Sequence, residues 1–508
     1  MPERVAAIDV GTNAIRFTAA ETDDGDSFHV MGESRTAVRL GHGVFSSGLI
    51  DATAAAEAAA GLVQAARQMK ELSIVRYRAV ATSAVRESRN RRDFVRQVRE
   101  ASGLRLEVIA GSEEIRLVHK AVRRRMPLGK DTWVLVELGG GSVEIALADD
   151  SRVSWSETHA MGAVRLMEMF VRGNSEPKEF SRLIQEYAAT IRLPQKVAER
   201  GARGFLATGG NIESIARICQ GSRDPQAGSL TVSVAEVRTL VGKLSRMSAA
   251  ERQKEYELKA DRADVIVPAA IVYSHIADRV GAAEIVVPGG GVREGIVYDL
   301  LERHGIRREA DAGIVDDALL LGRKFLFDEK HALHVARLAG SLYDQLVHVH
   351  GMGNRDRRLL VAAALLHDVG GVVSLKSHHK HALYLIARSE LPGFSAREMF
   401  IVGCIARYHR KAPPSSLHHE FAQLSLADRH RVRLLAGLLR IADALDKEHR
   451  QKIQGIAVIQ KGTQVQIRTN GADDVLLEQW ALRKKDDLFR EVFGLDVSLT
   501  RDGDNADG

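Results

Sequence analysis

Two segments of the sequence carry an acidic residue directly before a glycine-rich turn. AAIDVGTNAIRF (6–17) and VLVELGGGSVEIAL (134–147) share the order apolar run, acid, glycine turn and second apolar run, with Asp9 and Glu137 at equivalent positions. Glycine lets backbone N–H groups approach an oxyanion, and a hydroxyl in the turn adds a donor. The acid repels bare phosphate, so its expected partner is a bound Mg²⁺ or a water. The repeat therefore predicts two phosphate-binding hairpins.

Two further glycine turns, FLATGGNIES (205–214) and IVVPGGGVREGIV (285–297), each follow an apolar run typical of a strand. None of the four turns is a GxxxxGK[ST] loop or a GxGxxG dinucleotide fingerprint. One strand–glycine–strand segment is usually only a hairpin, but four of them predict two similar α/β domains facing each other across a phosphate-binding cleft.

Histidine is concentrated late in the chain, with thirteen of the 19 between His331 and His449. His334, His367–Asp368 and Asp443 follow one another in the order of an HD phosphohydrolase. Imidazole and carboxylate together suit Mn²⁺, Fe²⁺ or a similar divalent ion. A single histidine is more often a core or surface residue, but Asp443 lies in an apolar stretch where a buried carboxylate requires a partner. We expect a metal-capable site there, and a second hydrolytic activity is a hypothesis.

Basic residues are clustered, although the net charge of +6 is modest for 508 residues. One cluster spans Arg86–Arg99, a second Lys120–Arg125, and a third lies around residues 376–381 and 407–411. Such runs are either solvated helix faces or a path for a polyanion. Aromatic residues are only 5% of the chain, so platforms for stacking bases are not evident and a phosphate-rich substrate fits better than a specific nucleic acid. The candidates for a polyphosphate channel are Lys376, His378, His379, Lys380, His409, Arg410 and Lys411.

The composition is that of a globular chain, with 45% hydrophobic residues and a length that suggests about three domains. The apolar run at 359–366 is too short for a membrane span, and the first residues do not form a signal sequence. Two cysteines cannot build a disulfide framework. We expect a cytoplasmic protein without membrane partners.

The pattern of apolar residues changes along the chain. Short β-branched runs alternate with helical stretches up to a linker at 302–313, after which the spacing is helical, and two alternating runs after 450 predict a hairpin followed by a helix. The predicted domains are 1–128 and 129–305 (both α/β), 314–450 (all-α) and 451–508 (a small α/β appendage with a disordered tail).

Six segments together resemble one family. DVGTNAIR (9–16), ATSAVRES (81–88), AGSEEIRL (110–117), ELGGGSVEI (137–145), ATGGN (207–211) and PGGGVREG (288–295) occur in the order of the exopolyphosphatase/guanosine pentaphosphatase (Ppx/GppA) family, a branch of the actin–hexokinase–Hsp70 superfamily. The resemblance covers about residues 5–300. It implies two actin-like (ribonuclease H-like) domains, a helical HD-type domain, Mg²⁺ dependence and a homodimer.

The resemblance also implies roles for individual residues. Glu114 would orient or deprotonate the attacking water, with Glu113 as the alternative, and Arg86 would pair with phosphate. Ser112 followed by acids is also typical of a helix capping box. The family usually has aspartate at Glu137, and the extra methylene displaces the carboxylate by roughly 1.5 Å. The metal candidates are Asp9, Glu137 and Glu144, and the phosphate-binding candidates are Gly11, Thr12, Asn13, Arg16, Gly139, Gly140, Gly141, Ser142, Gly209, Gly210 and Asn211.

The leading functional prediction is an exopolyphosphatase that hydrolyses inorganic polyphosphate processively from an end. Removal of the 5′ γ-phosphate from guanosine pentaphosphate (pppGpp) needs the same machinery and is the alternative within the family. Two alternatives lie outside this family. An ATP-using sugar kinase is disfavoured, because this chain has no recognisable sugar-binding segment. The other is a non-catalytic polyphosphate or nucleotide sensor, which requires that Glu137 has abolished hydrolysis.

Overall fold

In the computed structural model, the chain divides into two units, residues 1–307 and 308–508. The structure describes residues 3–22, 27–171, 177–191, 193, 202–221, 229–305, 310–374, 376–470 and 474–501. The middle of the predicted linker (306–309) and the predicted disordered tail from 502 onward lie outside the described residues.

The first unit begins with a five-stranded sheet of order β3-β2-β1-β4-β5. Its central hairpin pairs β1 with β2, so that Asp9 lies opposite Arg16, and β4 runs parallel to β1. The elements of this part are β1 (Glu3–Val10), β2 (Ala14–Thr22), β3 (His29–Ala37), α1 (Val44–Ser47), α2 (Ala52–Glu71), β4 (Arg76–Ala81), α3 (Ser83–Glu87), α4 (Arg91–Ser102), β5 (Leu106–Val108) and α5 (Gly111–Arg125).

A six-stranded sheet of order β10-β11-β9-β6-β7-β8 follows in the same unit. Its hairpin β6–β7 sets Glu137 opposite Glu144, and β9 runs parallel to β6 as β4 does to β1, which confirms the predicted repeat of two α/β halves. The elements are β6 (Trp133–Leu138), β7 (Val143–Ala148), β8 (Val153–His159), α6 (Ala163–Val171), α7 (Pro177–Ala188), β9 (Phe205–Thr208), α8 (Gly210–Gln220), β10 (Leu230–Ser233), α9 (Val234–Leu244), α10 (Ala249–Tyr256), α11 (Ala260–Ala263), α12 (Ile266–Arg279), β11 (Glu284–Val287) and α13 (Val292–Gly305).

The helix α13 returns to the first sheet, although the predicted boundary assigned it to the second domain. It packs against α5 and β1, and a Cβ on Gly295 would lie 2.0 Å from the carbonyl oxygen of Leu117. Ion pairs also hold α13 in place, because the carboxylate of Asp299 lies 2.9 Å from Arg116 on α5 and 3.1 Å from Arg78 on β4. The position of α13 is therefore set by its packing against α5 and β1 and by buried ion pairs, and not by its place late in the sequence of the first unit.

The second unit is a helical bundle joined to a three-stranded sheet of order β12-β13-β14. One apolar core runs from the bundle into the sheet, so the predicted appendage at 451–508 shares its core with the helices. The predicted hairpin is β12–β13, while β14, which pairs parallel with β13, was not predicted. The elements are α14 (Ala310–Lys324), α15 (Glu329–Gln345), α16 (Val347–His350), α17 (Asn354–Leu366), a 3₁₀ turn (Val369–Val372), α18 (His378–Ala387), α19 (Ala396–Arg407), α20 (His419–Ala422), α21 (Leu426–Ala444), β12 (Gly455–Lys461), β13 (Gln464–Asn470), α22 (Leu476–Lys485), α23 (Asp487–Phe493) and β14 (Asp496–Arg501).

None of the helices in the described part of the chain combines the length and the apolar character needed to cross a lipid bilayer.

Candidate active site and a histidine–aspartate cluster

The glycine turns of the first unit open into one cleft of about 880 Å³. Glu114 lines it from the N-terminus of α5, together with Asp9 and Glu137 from the two hairpins. The predicted phosphate-binding residues that line it are Gly11, Thr12, Asn13, Arg16, Gly139, Gly140, Gly209, Gly210 and Asn211. The structure therefore brings most of the residues selected from the sequence into one place.

The two hairpin turns approach each other so closely that position 140 has no room for a side chain, since a Cβ on Gly140 would lie 2.6 Å from the Cβ of Thr12. Gly162, which follows β8, packs on the second turn, and a Cβ there would lie 2.3 Å from the carbonyl carbon of Gly141. Each turn is closed by an equivalent backbone bond, Gly11 N–H to Ala14 O at 3.1 Å and Gly139 N–H to Ser142 O at 3.0 Å.

This closing bond leaves the next two amides of each turn available. In the described part of the chain, the N–H groups of Thr12, Asn13, Gly140 and Gly141 donate no backbone hydrogen bond. Neighbouring N–H groups of this kind form an anion-binding concavity. Both turns can therefore hold phosphoryl oxygens by main-chain amides.

Glu114 lies buried beside Arg86, whose Nη1 is 3.2 Å from the Glu114 carboxylate. The same guanidinium donates to Ser142 Oγ at 3.3 Å and lies 3.6 Å from Glu144. Arg86, Gly141, Ser142 and Glu144 are not among the residues that line the cleft itself, so these four stand behind its wall. Glu114 therefore connects these buried side chains to the cleft, because it contacts Arg86 and also lines the cleft.

The neighbouring Glu113 is engaged elsewhere. Its carboxylate bonds Arg116 at 2.7 Å and lies 2.8 Å from Arg78. Burial opposes ionisation, but these two guanidinium groups hold the pKa of Glu113 down to about 2. The capping-box interpretation of Ser112 is wrong, because α5 begins after Ala110 and has no side-chain cap.

Burial away from water raises the pKa of three carboxyl groups of the site. Burial raises the pKa of Glu137 to about 8, although the Thr208 hydroxyl donates to it and opposes the shift. Burial, and then the charge of Glu114, raises the pKa of Glu144, while burial outweighs Arg16 in raising that of Asp9. Glu144 Oε2 is buried without a hydrogen-bond partner.

Carboxylate oxygens are the kind of ligand that a hard divalent cation such as Mg²⁺ prefers. Among the described residues, Asp9, Glu137 and Glu144 do not form a group of three whose oxygens lie within 4.8 Å of one another. The long side chain of Glu137 instead turns to accept from Thr208 on the adjacent strand.

Several arginines that the sequence analysis did not select also line the cleft. Arg262 donates to Asn211, Arg35 pairs with Asp261, and Arg293 lies 3.1 Å from Glu33. Arg293 belongs to the PGGGVREG segment and could have been found there. Arg35 and Arg262 have no local signal, because they come from β3 and α11, far from any glycine turn.

In the second unit, the ends of four elements bring histidines and aspartates together. The ring nitrogens and carboxylate oxygens of His331, His367 and Asp443 lie within 4.8 Å of one another, and so do those of His367, Asp368 and His409. The structure differs from the prediction at one ligand. His334 is absent from these groups among the described residues, because it lies one helical turn beyond His331, with its Nδ1 2.9 Å from Arg337.

The predicted channel residues of the second unit separate into two sets. His378, His379 and His409 are buried, and His378 Nε2 lies 3.1 Å from Asp368. The remaining residues are exposed or half-buried, namely Lys376, Lys380, Arg410 and Lys411. The buried histidines belong with the histidine–aspartate cluster rather than with a solvent-facing basic path.

Two family models match this chain. Residues 18–304 match the model of the Ppx/GppA phosphatase family, and residues 317–491 match the model of domain III of Ppx/GppA phosphatases.

Three solved structures are similar to this chain. A Ppx/GppA family member from Aquifex aeolicus is 23% identical, with a TM-score of 0.52 over 60% of this chain and 100% of its own. An exopolyphosphatase from Cytophaga hutchinsonii is 24% identical, with a TM-score of 0.55 over 59% of this chain and 98% of its own. An exopolyphosphatase-like protein is 26% identical, with a TM-score of 0.54 over 60% of this chain and 99% of its own. The first two likenesses show a shared fold.

Proposed function

The chain belongs to the Ppx/GppA phosphatase family, a family of hydrolases, and on that premise we propose that it is an exopolyphosphatase that releases orthophosphate from the end of inorganic polyphosphate. The observation that carries this proposal is the position of Glu114, which lines the cleft between two turns with available amides. The solved exopolyphosphatase from Cytophaga hutchinsonii shares the fold.

The reaction requires a water to attack the terminal phosphorus while the bridging P–O bond breaks. In the proposed mechanism, the Glu114 carboxylate orients the water and accepts its proton, and the electron pair of the broken bond leaves with the shortened chain. The amides of Thr12, Asn13 and Gly140 hold the non-bridging oxygens as charge develops on them. Arg86 positions Glu114 through their 3.2 Å contact.

Asp9 and Glu137, whose carboxylates line the cleft, are the residues that would hold a divalent cation, for which we propose Mg²⁺, whereas Glu144 stands behind the cleft wall. When bound, such an ion neutralises charge on the phosphoryl group. Cleft arginines such as Arg217, Arg262 and Arg293 are suited to the following phosphates of a polyanion. The family resemblance supports a homodimer in the cytoplasm, and light scattering of the purified chain would check the dimer.

The test compares phosphate release from long-chain polyphosphate, pppGpp and ATP. Glu114→Gln keeps the volume of the side chain and removes the proton acceptor, so we expect the turnover rate to fall by about 10²–10⁴-fold. Glu100→Gln, on the exposed face of α4, is the matched control and should leave turnover unchanged.

Three outcomes would contradict the proposal. Preferential turnover of pppGpp would make the chain a guanosine pentaphosphate hydrolase. Tight binding of polyphosphate without phosphate release would favour a sensor. Unchanged turnover in Glu114→Gln would exclude the assigned role of that carboxylate.

A further inference from the structure

Arg165, in the first turn of α6, has a side chain that is only 11% exposed and that the proposed mechanism does not use. Its Nε donates to the carbonyl oxygen of Gly141 at 2.7 Å, and its Nη2 donates to Glu87 at 2.5 Å. The guanidinium also lies 4.1 Å from the centre of the Phe45 ring. Because a guanidinium is a rigid planar fork, these three contacts hold it in one orientation.

The contacts of α6 join the two α/β halves of the first unit. Glu87 ends α3 and Phe45 lies in α1, both in the half built on the five-stranded sheet, whereas α6 belongs to the half built on the six-stranded sheet. A further bond crosses in the same way, since Glu168 on α6 accepts from the N–H of Gly43 at 2.5 Å. The helix α6 is therefore attached to the first half at two places.

The same helix fixes the peptide planes of the turn between β6 and β7. The N–H of Ala163 donates to Gly139 O at 3.0 Å. Two further N–H groups, those of Val164 and Arg165, donate to Gly140 O at 2.8 and 3.0 Å. In a trans peptide, the C=O and the N–H that follows it point in opposite directions. Because α6 holds the Gly139 carbonyl, the N–H of Gly140 faces away from α6.

The side chain of Arg165 holds the last carbonyl of this turn, that of Gly141. Gly141 is tightly packed, since a Cβ on it would lie 2.6 Å from Ser83 Oγ and closer still to the ring of Phe45. The turn therefore rests directly on the first half. Without the guanidinium, the Gly141 carbonyl would need another donor, and reaching one would require its peptide plane to rotate.

Two adjacent residues of α3 reach this turn by different routes. Arg86 donates to Ser142 Oγ at 3.3 Å and contacts Glu114 at 3.2 Å. Glu87 reaches the turn through its ion pair with Arg165. The carboxylate assigned to the water and the turn assigned to the phosphoryl group are thus tied to the same short helix, so a shift of the turn relative to α3 would change the distance between them.

We propose that Arg165 is a positioning residue, which fixes the turn at 139–142 against α1 and α3 and so directs the Gly140 amide at the terminal phosphoryl group. The inference rests on the proposed function, because that function is what places phosphate at this turn. Preorganised donors contribute most where charge develops in the transition state. Loss of Arg165 should therefore lower kcat more than it changes KM.

The experiment measures steady-state phosphate release from tripolyphosphate and pppGpp by variants of the full chain. Arg165→Met keeps an unbranched apolar stem and removes every donor, so we expect kcat to fall by about 10- to 100-fold, with KM changed by less than about threefold. Arg165→Lys keeps the charge opposite Glu87 but loses the fork that serves two acceptors, so its kcat should stay at least about threefold below that of the wild type.

Arg429→Met is the matched control. In the second unit, Arg429 likewise donates from Nε to a backbone carbonyl, that of Leu424 at 3.0 Å, and lies 6.0 Å from the ring centre of Phe421. Its replacement removes the same kind of contacts at a distance from the turn along the chain, and it should leave kcat unchanged with both substrates. Circular dichroism checks folding, and Arg165→Lys gives the reading if Arg165→Met does not fold.

Hydrogen exchange followed by mass spectrometry needs no substrate and tests the inference separately. Peptides that cover 133–166 should exchange roughly tenfold faster in Arg165→Met than in the wild type, and at an unchanged rate in Arg429→Met. If the wild type releases no phosphate from either substrate, the proposed function fails, and hydrogen exchange alone decides whether Arg165 fixes the turn. The inference is overturned if Arg165→Met or Arg165→Lys keeps the wild-type kcat, or if exchange of this segment in Arg165→Met equals that of the wild type.

Discussion

Tyr256 is the one aromatic side chain among the described residues that line the cleft. It ends α10, and the ammonium of Lys243 lies 5.1 Å from its ring centre. A ring at this place can stack on a nucleobase, a group that pppGpp has and inorganic polyphosphate lacks. Replacement of Tyr256 should therefore affect pppGpp and polyphosphate differently.

We expect Tyr256→Ala to leave polyphosphate turnover unchanged. With pppGpp as substrate, loss of one base–aromatic stack, worth about 1–3 kcal/mol, should raise KM by about 5- to 150-fold. Steady-state phosphate release with both substrates measures this, and Tyr384→Ala, a largely exposed tyrosine of the second unit, is the control. A loss of polyphosphate turnover in Tyr256→Ala would contradict the proposal.

Glu113 and Glu114 show that residue type alone does not identify which of two adjacent acids lines the cleft. Glu113 and Glu114 are identical in type and follow one another, yet one bonds Arg116 and the other lines the cleft. The two differ only in the direction in which each side chain leaves α5, and the sequence does not show which residues surround that helix. The choice of Glu114 therefore came from the family motif. For the same reason, spacing could not distinguish His331 from His334.

Elements with local signals were predictable. The hairpins around Asp9 and Glu137 have an acid, a turn of glycines and alternating apolar runs, all of which act within a dozen residues. The strand β14 and the position of α13 depend on partners far along the chain, and no local pattern specifies them.

The packing of α13 on α5 makes a prediction about acid stability. Glu113 joins Arg78 and Arg116, which also contact Asp299 on α13. Its pKa is about 2 in the folded chain against an ordinary 4.5. A lowered pKa contributes stability that is present above the ordinary value and is lost as the pH falls from about 4.5 towards 2.

We expect Glu113→Gln to lower the free energy of unfolding at pH 7 by about 3 kcal/mol, because Arg78 and Arg116 lose one of their carboxylate partners and keep Asp299. Between pH 5 and 2 the variant should lose less further stability than the wild type. Urea unfolding at several pH values measures both, with the exposed Glu100→Gln as control. Parallel pH curves for Glu113→Gln and the wild type would show that this ion network does not act as described.

At the scale of the whole molecule, charges of both signs are concentrated in one cleft. The chain has a net charge of +6, and among the residues that the structure describes the cleft is lined by eight carboxylates together with five arginines, namely Arg16, Arg35, Arg217, Arg262 and Arg293. Charge interactions between a long polyanion and such a surface are screened by salt within about 8–10 Å at physiological ionic strength.

Raising NaCl from 0.05 to 0.5 M should therefore increase KM for long-chain polyphosphate by about tenfold or more, since many phosphates are held at once. Tripolyphosphate, which reaches fewer arginines, should show a smaller increase. Initial rates at fixed Mg²⁺ measure this. Equal salt dependence for both lengths would mean that only the terminal phosphates are bound.

The bond from the Thr208 hydroxyl to Glu137 ties two neighbouring strands together at the edge of the cleft. A side chain shorter by one methylene would end roughly 1.5 Å sooner, and the hydroxyl on the next strand would then lose its acceptor. Glu137→Asp alone should accordingly cost this hydrogen bond and leave Thr208 to find another acceptor.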